Sequence, residues 1–488
     1  MIHSLSNNLS KFVFDRVRNN QTAGYIFGDH VLLYRDLESF SRKTAGYFDH
    51  RGIGVESTVI INLPDSHEWP VIFYALTLIG ARIMVTHANL DITSLHAISA
   101  RINATHMISN RDRDIGTTNI MLDDVTQHRS DFEYQHAHQY HPDDLHFMIT
   151  TSGTSGRQKI VEHRHNAAIK LIEHFDGRHT LYKDINHESV IMCTAKMNFL
   201  YGLGANICLA PSQGVTSVIF DRKLTPRNII TLVNKHRVTH LFSGAVAYML
   251  LTKYRGKMTF GDSIQCLVSG GEKLPETIAV AFGKKFSLDI YDAIGASEVF
   301  WFFIGQHRDA VRPGSMGKLL PHHEAKVVNQ DGSDCAVGEV GRLMVKADWL
   351  ALGYYDDPAS NEFSFRDGWF WTNDLVRIDD QGFYTYVGRS GQLHKVHGIW
   401  VNLLEVENYI CVLPEVTDCL AEFTVDVDGL IEVKASIVTT TSLSAEDIRK
   451  KLVKVVPPCQ MPKFVTMVPE IPRTLNGKKI RHLEIQSS

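Results

Sequence analysis

The chain has no excess of basic residues: 50 lysines and arginines face 54 acids, for a net charge of −4. It therefore lacks the positive footprint of a nucleic-acid binder. Paired cysteines are missing as well. Cys193, Cys208, Cys266, Cys335, Cys411, Cys419 and Cys459 are scattered, with no C-x-x-C spacing. An odd, dispersed set reads as reduced thiols, which points to a cytoplasmic protein rather than a stapled secreted scaffold. Long hydrophobic runs are also absent. The most apolar early stretch, 69–85, is interrupted by Gly80 and Arg82 and is too broken to span a bilayer, so no membrane partner is expected. The opening MIHSLSNNLSKF has no apolar core of the signal-peptide kind. Repeats, heptads and low-complexity tracts do not occur. Histidine is plentiful, at 25, with several in QHAHQYHPDDLH (135–146). No His-x₃-His with an acidic partner falls on a helical pattern there, so the stretch reads as a solvated polar linker rather than a metal site.

What remains is an ordinary globular composition, 44% apolar and 21% charged over 488 residues. At roughly 150 residues per domain, that length allows two to four structural units. Helix-like and strand-like segments alternate through the first part: SKFVFDRVRNN, STVIINL (57–63), EWPVIFYALTLIG followed by ARIMVTH, RNIITLVNKHRVTHLFSG (227–244) and ETIAVAFGKKFSLDIYDAIG (276–295). Such alternation predicts an α/β fold, a large N-terminal domain of parallel sheets covered by helices. Between about 311 and 387 the pattern changes to short period-2 strands with turns at NQDGSD, DDPAS, FRDGW and IDDQGFY, predicting a small antiparallel, barrel-like subdomain. From about 392 the chain resets to a small α+β tail: LLEVENYICVL as helix, GLIEVKASIV as strand, and SAEDIRKKLVKVV as a helix with a Ser/Glu cap signal. The expected boundaries are a body at 1–389, a hinge at 390–392 in GRSGQ, and a mobile C-terminal lid at 393–488.

The most informative motif is TTSGTSGRQK (150–159), directly after the apolar strand LHFMIT. Thr151, Ser152, Thr154 and Ser155 surround Gly153 and Gly156, and Lys159 follows. Glycines let backbone amides form a concave anion nest, hydroxyls add donors, and a lysine adds charge. A Walker A loop is excluded, because Gln158 occupies the place of its second glycine. On spacing alone, phosphate binding and an ordinary Ser/Gly-rich surface loop stand about level.

This loop resembles the signature of the adenylate-forming superfamily of acyl- and aryl-CoA synthetases and adenylation enzymes, S/T-S-G-S/T-S/T-G-x-P-K, with Gln158 in place of proline. Further segments match in the same order. SGGEKLP (269–275) is similar to the segment that packs on adenine, placing Gly271, Glu272 and Lys273 there. YDAIGASEVF (291–300) resembles the Y-G-x-S/T-E element. The resemblance implies ATP contacts from Asp292, Ala293 and Ile294, with Ser297 and Glu298 at the Mg²⁺ on ATP; oxygen ligands suit that hard cation. WFWTNDLVRID (369–379) resembles the T-G-D element, with Asp374 on the ribose hydroxyls and Asn373 replacing glycine. YVGRSGQLHKVHGIWVNLLEVE (386–407) is similar to the hinge motif. Arg389 falls at the ribose, while Lys395 and Gly398 belong to the face that meets coenzyme A. Gly391 and Gln392 replace an acidic pair, and His397 replaces a small residue. IPRTLNGKKIRH (471–482) resembles the C-terminal P-R-T-x-x-G-K motif, and Lys478 matches the lysine that serves adenylation.

The resemblance implies ATP-dependent formation of an acyl-adenylate, then transfer to the thiol of coenzyme A with release of AMP. For the acid, AKMNFLYGLGA (195–205) resembles the acyl-pocket helix of benzoate-type ligases. Asn198, Phe199, Tyr201, Gly202, Ser243, Gly244, Gly295 and Trp301 are the pocket candidates. No aspartate stands near Phe199 to hold an α-amine, and the Trp301 indole shortens the pocket. A compact aryl acid is expected. The alternatives are an aryl-acid adenylation enzyme that loads a carrier protein, and a catalytically silent nucleotide-binding protein; the assembly expected is a monomer or homodimer.

Overall fold

The run Glu68–Ile79 is apolar on every side, and as a helix it has all of its residues buried. A helix of that kind can exist only inside a large core. It ends at Gly80, which takes φ +92 to close the last turn. Its single charge, Glu68, is matched by Arg129, whose two terminal nitrogens both reach the carboxylate. Removing either partner would strand a buried charge, a loss of roughly 3–5 kcal/mol.

The computed structural model describes residues 7–151, 158–176, 185–329, 331–397, 399–427, 429–439, 443–473 and 479–481. The chain forms two compact units. The first holds the chain up to Thr151, then Lys159–Ala325 and Val345–Phe370; the second holds Lys326–Met344 and the chain from Trp371 onward.

The first unit is built on two sheets. One has nine strands, in the order Lys318–Leu319, Phe302–Gly305, Tyr291–Gly295, Cys266–Ser269, His240–Ser243, Val190–Cys193, Thr216–Ile219, Gly24–Phe27 and His30–Leu33. The other has seven: Gly353–Tyr354, Ile160–Arg164, Leu145–Thr150, Arg82–Val85, Thr58–Asn62, His106–Ser109 and Thr118–Met121. Their central strands pair in parallel, as the alternating pattern predicts. Helix Pro226–His236 illustrates the local logic, with Thr225 capping Asn228 and Pro226 at the first turn.

Antiparallel pairing appears in the stretch expected to be strand-rich. Phe365–Arg366 pairs with Trp369–Ile378, which pairs in turn with Tyr384–Arg389. In the second unit the hairpin Leu393–Val396/Ile399–Asn402 precedes helix Leu403–Cys411. A three-stranded sheet follows, made of Val416–Val425, Ile431–Thr439 and Phe464–Met467, with helix Ala445–Leu452. That helix has a reciprocal capping box, closed by Ser444 and Asp447 rather than by a glutamate. Among the described residues no helix is long and apolar enough to cross a membrane, and no cluster of three His, Cys, Asp or Glu side chains could hold a metal.

The histidine-rich stretch is mostly exposed coil, as expected of a polar linker, with two residues turned inward, and further buried histidines lie just beyond it. Tyr140 and His146 are buried. His165 stacks on Tyr140 with ring centroids 3.7 Å apart, and its Nε2 accepts the amide of Leu9 at 3.0 Å. His146 Nε2 lies 2.8 Å from Thr77 Oγ1. His163 is packed between Phe147 and Phe300. These rings work as neutral aromatics. Burial pulls His146 and His163 down to about 3, and His165 lower still. Such groups bind protons in the unfolded chain near 6.5 but not in the fold. Stability is therefore complete above that pH and falls as pH drops toward 3. We expect the thermal midpoint to fall between pH 7.5 and pH 5. His163→Phe should narrow that fall, removing a penalty of about 1.4 kcal/mol per pH unit.

Candidate active site

The strand Leu145–Thr150 leads into the Ser/Gly loop, and Ile160–Arg164 leads out of it as an antiparallel neighbour. The ends are tied where the amide of Thr151 donates to Lys159 O at 2.9 Å. Ser152, Gly153, Thr154, Ser155 and Gly156 lie outside the described residues. Lys159 is described: its ammonium sits 4.4 Å from the centroid of the Tyr354 ring. That contact is worth roughly 0.5–2 kcal/mol, depending on exposure. The Tyr354 hydroxyl donates to Glu298 Oε1 at 2.6 Å. Glu298 lies in the short turn Ser297–Val299, and its carbonyl accepts the amide of Ala351 at 2.8 Å. Two residues from distant motifs, Lys159 and Glu298, thus share one aromatic side chain that sequence reading had not singled out. Glu298 Oε2 has no partner among the described residues. A half-buried carboxylate oxygen beside Ser297 is the donor type magnesium takes.

The ATP-binding candidates around Gly271 and Asp292 also converge. Tyr291–Gly295 runs beside Cys266–Ser269, with Asp292 level with Ser269. Gly271, at φ +87, turns the chain through Glu272 and Lys273, so that Leu274 donates its amide to Asp292 Oδ2 at 3.4 Å. The other Asp292 oxygen has no partner among the described residues. Burial pushes this carboxyl up to about 8, with the Leu274 amide pulling the other way. Ala293 and Ile294 follow on the same strand.

The acyl-pocket candidates divide into two groups. Tyr201 donates to the carbonyls of Ser243 and Val268 at 3.3 and 3.2 Å, and its ring lies 5.9 Å from Trp301. Ser243 Oγ is 2.5 Å from Thr194 Oγ1, and Gly244 caps the following helix. Trp301 is buried against Phe175, Phe242 and Phe302. Two glycines make room for Trp301, and a third lets the chain close against the backbone at 196. A Cβ at Gly204 would come 2.4 Å from the Trp301 ring, one at Gly295 would come 2.7 Å from Trp301 O, and one at Gly202 would come 2.2 Å from Lys196 O. Phe199 faces His87 instead, with centroids 6.2 Å apart, and Asn198 is buried beside it in sequence. The segment is pinned by Asp65, unmarked in the sequence, which accepts the Met197 amide at 3.1 and 3.3 Å and lies 4.0 Å from Lys196. Burial pushes Asp65 up to about 6 against the pull of Lys196.

The second unit carries the other candidates. Asp374 stands opposite Arg389 across the hairpin, and its Oδ1 accepts from Arg389 Nε at 3.3 Å and from the Tyr386 hydroxyl at 3.4 Å. Tyr386 was missed in the sequence; burial and then Asp374 push its hydroxyl well up. Gly391 lies in the turn Ser390–Gln392, where Gln392 Oε1 accepts the Arg389 amide at 3.3 Å, so a side-chain amide closes the turn. Lys395 sits in the strand opposite Trp400. Gly398 and Lys478 lie outside the described residues, but the chain on either side of 474–478 is anchored. Arg473 donates to Asp418 at 2.6 Å, Lys479 to Glu407 at 2.8 Å, and Arg481 lies 2.6 Å from Glu407. Burial pushes Glu407 up, but Lys479 and Arg481 outweigh it and hold the carboxyl below its usual range.

Against known proteins, the model of the AMP-binding enzyme family matches residues 14–355. A 4-hydroxybenzoate–CoA/benzoate–CoA ligase of Rhodopseudomonas palustris is 28% identical over 349 residues, covering 70% of this chain and 64% of that protein. The p-hydroxybenzoic acid–AMP ligase FadD22 of Mycobacterium tuberculosis is 27% identical over 465 residues, 92% of this chain and 64% of its own length. The chain thus spans just under two thirds of these curated relatives. The crystal structure of an anthranilate CoA ligase, AuaEII, in complex with anthranoyl-AMP superimposes with a TM-score of 0.89 at 23% identity, over 98% of this chain and 96% of that one.

A carboxyl whose folded pKa is raised holds a proton that the unfolded chain has released, so its stability contribution is lost as pH rises from about 4 to 8. Asp292→Asn removes this titration. We expect the variant's thermal midpoint to gain on that of the unaltered chain as pH rises from 5 to 8, by up to about 1.4 kcal/mol per pH unit.

Proposed function

We propose, on the premise that the chain belongs to the AMP-binding enzyme family, that it activates a compact aromatic carboxylic acid with ATP and passes the acyl group to the thiol of coenzyme A. The observation that carries this reading is the meeting of Lys159 and Glu298 on Tyr354, which puts a phosphate-type cation and a metal-type carboxylate in one place. In the first step the acid's carboxylate oxygen attacks the α-phosphorus of ATP, and pyrophosphate leaves with the cleaved P–O electron pair. The attacking group is already an anion, so no base is required; the work is positioning and charge neutralisation. The loop 151–156 and Lys159 hold the outer phosphates. Gly271–Lys273 and Asp292–Ile294 bracket adenine, and Asp374 with Arg389 takes the ribose. Magnesium held by Glu298 would neutralise the developing charge on the leaving pyrophosphate. Lys478 bridges the acid and the α-phosphate. In the second step the thiol sulfur attacks the acyl carbon, AMP leaves, and the thiol proton passes to solvent. The lid, residues 393–488, turns about 390–392 between the steps, exchanging Lys478 for the face bearing Lys395 and Gly398.

The aryl preference rests on the Tyr201–Trp301 wall, short and aromatic, and on relatives named for benzoate and hydroxybenzoate. One observation favours a second reading. The match that extends over 92% of the chain is to an acid–AMP ligase, which fits an enzyme that hands its acyl-adenylate to a carrier protein instead. AMP release that depends on added coenzyme A separates the two.

Acid-dependent pyrophosphate exchange across a panel of benzoates, hydroxybenzoates and short-chain acids should favour a small aryl acid; a preference for long-chain acids would refute the pocket assignment. Lys478→Ala should abolish this exchange while leaving thioester formation from supplied acyl-AMP intact. Unimpaired exchange in that variant would remove Lys478 from its role.

A further inference from the structure

Tyr354 belongs to none of the motifs that point to nucleotide binding, yet its backbone is unusually constrained. Its amide donates to Asn361 Oδ1 at 2.6 Å, and its carbonyl accepts from Asn361 Nδ2 at 2.8 Å. One side-chain amide thus holds both faces of a single residue. Asn361 is carried by the helix Pro358–Ser364, which Asp357 caps through Ser360. The neighbour Gly353 has φ +151, and a Cβ there would fall 2.8 Å from Asn361 Oδ1, so the clamp needs glycine at that position. Strand pairing fixes the register from the other side. Tyr354 lies opposite Val161 and Gly353 opposite Glu162, and the amide of Tyr355 donates to Ile160 O at 2.8 Å. This is the strand that leaves the Ser/Gly loop just after Lys159.

The side chain held in this way touches both charged candidates, its hydroxyl on Glu298 Oε1 at 2.6 Å and its ring face under Lys159 at 4.4 Å. Packing alone does not account for the hydroxyl. The ring is 5% exposed and meets Phe365 at 5.5 Å, a contact that phenylalanine would make equally well. We infer that Tyr354 is a positioning residue that sets the Glu298 carboxylate for a divalent cation and seats Lys159 for the nucleotide's phosphates. Glu298 Oε1 is spoken for by the hydroxyl, which leaves Oε2 to face the metal. Partners behind a metal ligand fix its orientation in this manner. The inference rests on the roles given to Glu298 and Lys159 under the proposed function.

The test compares the unaltered chain with Tyr354→Phe, Tyr354→Leu and Glu298→Gln. Mn²⁺ binding in the presence of ATP is followed by electron paramagnetic resonance, which needs no turnover, and Mg²⁺ is titrated in acid-dependent pyrophosphate exchange. Tyr354→Phe should weaken Mn²⁺ by about tenfold, as loss of a ligand's hydrogen-bond partner typically does. It should raise the half-saturating Mg²⁺ in parallel while leaving the KM for the acid unchanged. Tyr354→Leu should add a rise in the KM for ATP, since Lys159 loses its seat. If Glu298→Gln weakens Mn²⁺ and Tyr354→Phe does not, the positioning role is overturned and the functional reading stands. If neither variant changes Mn²⁺ binding, the assignment of Glu298 falls, and the inference falls with it.

Discussion

The candidate site depends on one strand register. Ile160–Arg164 leaves the Ser/Gly loop and receives the two-residue strand Gly353–Tyr354 on its open side. Through that pairing a loop lysine and a turn glutamate, far apart in the chain, come to share one phenol. A one-residue slip would point Tyr354 to the other face of the sheet and undo both contacts. The Asn361 clamp and the glycine beside it keep the slip from happening, because they specify the backbone of this residue independently of its ladder bonds.

A second theme is how the protein handles charge away from water. Glu68 and Arg129 neutralise one another inside the first unit. In the second unit Glu407 carries both Lys479 and Arg481, while Asp418 takes Arg473. Asp292 has no such partner, and its proton provides the neutrality instead. The interior histidines follow the same rule and stay uncharged as packing rings. Buried charge is therefore paired where it stays ionised and titrated away where it has no pair.

Much of this was legible in the sequence. The helix–strand alternation gave the parallel sheets, because periodicity reports burial directly. The tail's α+β character was readable too, and the ordered motifs singled out Glu298, Asp374 and Arg389, which lie in a turn and on two paired strands. What stayed hidden were relationships set by pairing across the chain. Tyr354 sits in GYY, a string with no local mark, and its meaning comes from Asn361, Lys159 and Glu298. Tyr386 and Asp65 are alike in this respect. In QHAHQYHPDDLH the polar composition reports solvent for most of the stretch, and the exception is His146, which a hydroxyl partner at Thr77 holds inside. The Ser444 cap was readable, but its reciprocal acid was Asp447, one place beyond the glutamate.

The contact between Gly204 and the Trp301 indole reaches beyond packing. Because the ring occupies the space a methyl group at 204 would need, the two positions are epistatic. A larger residue at 204 needs residue 301 to shrink or its ring to turn aside, so the size allowed at one position depends on the other.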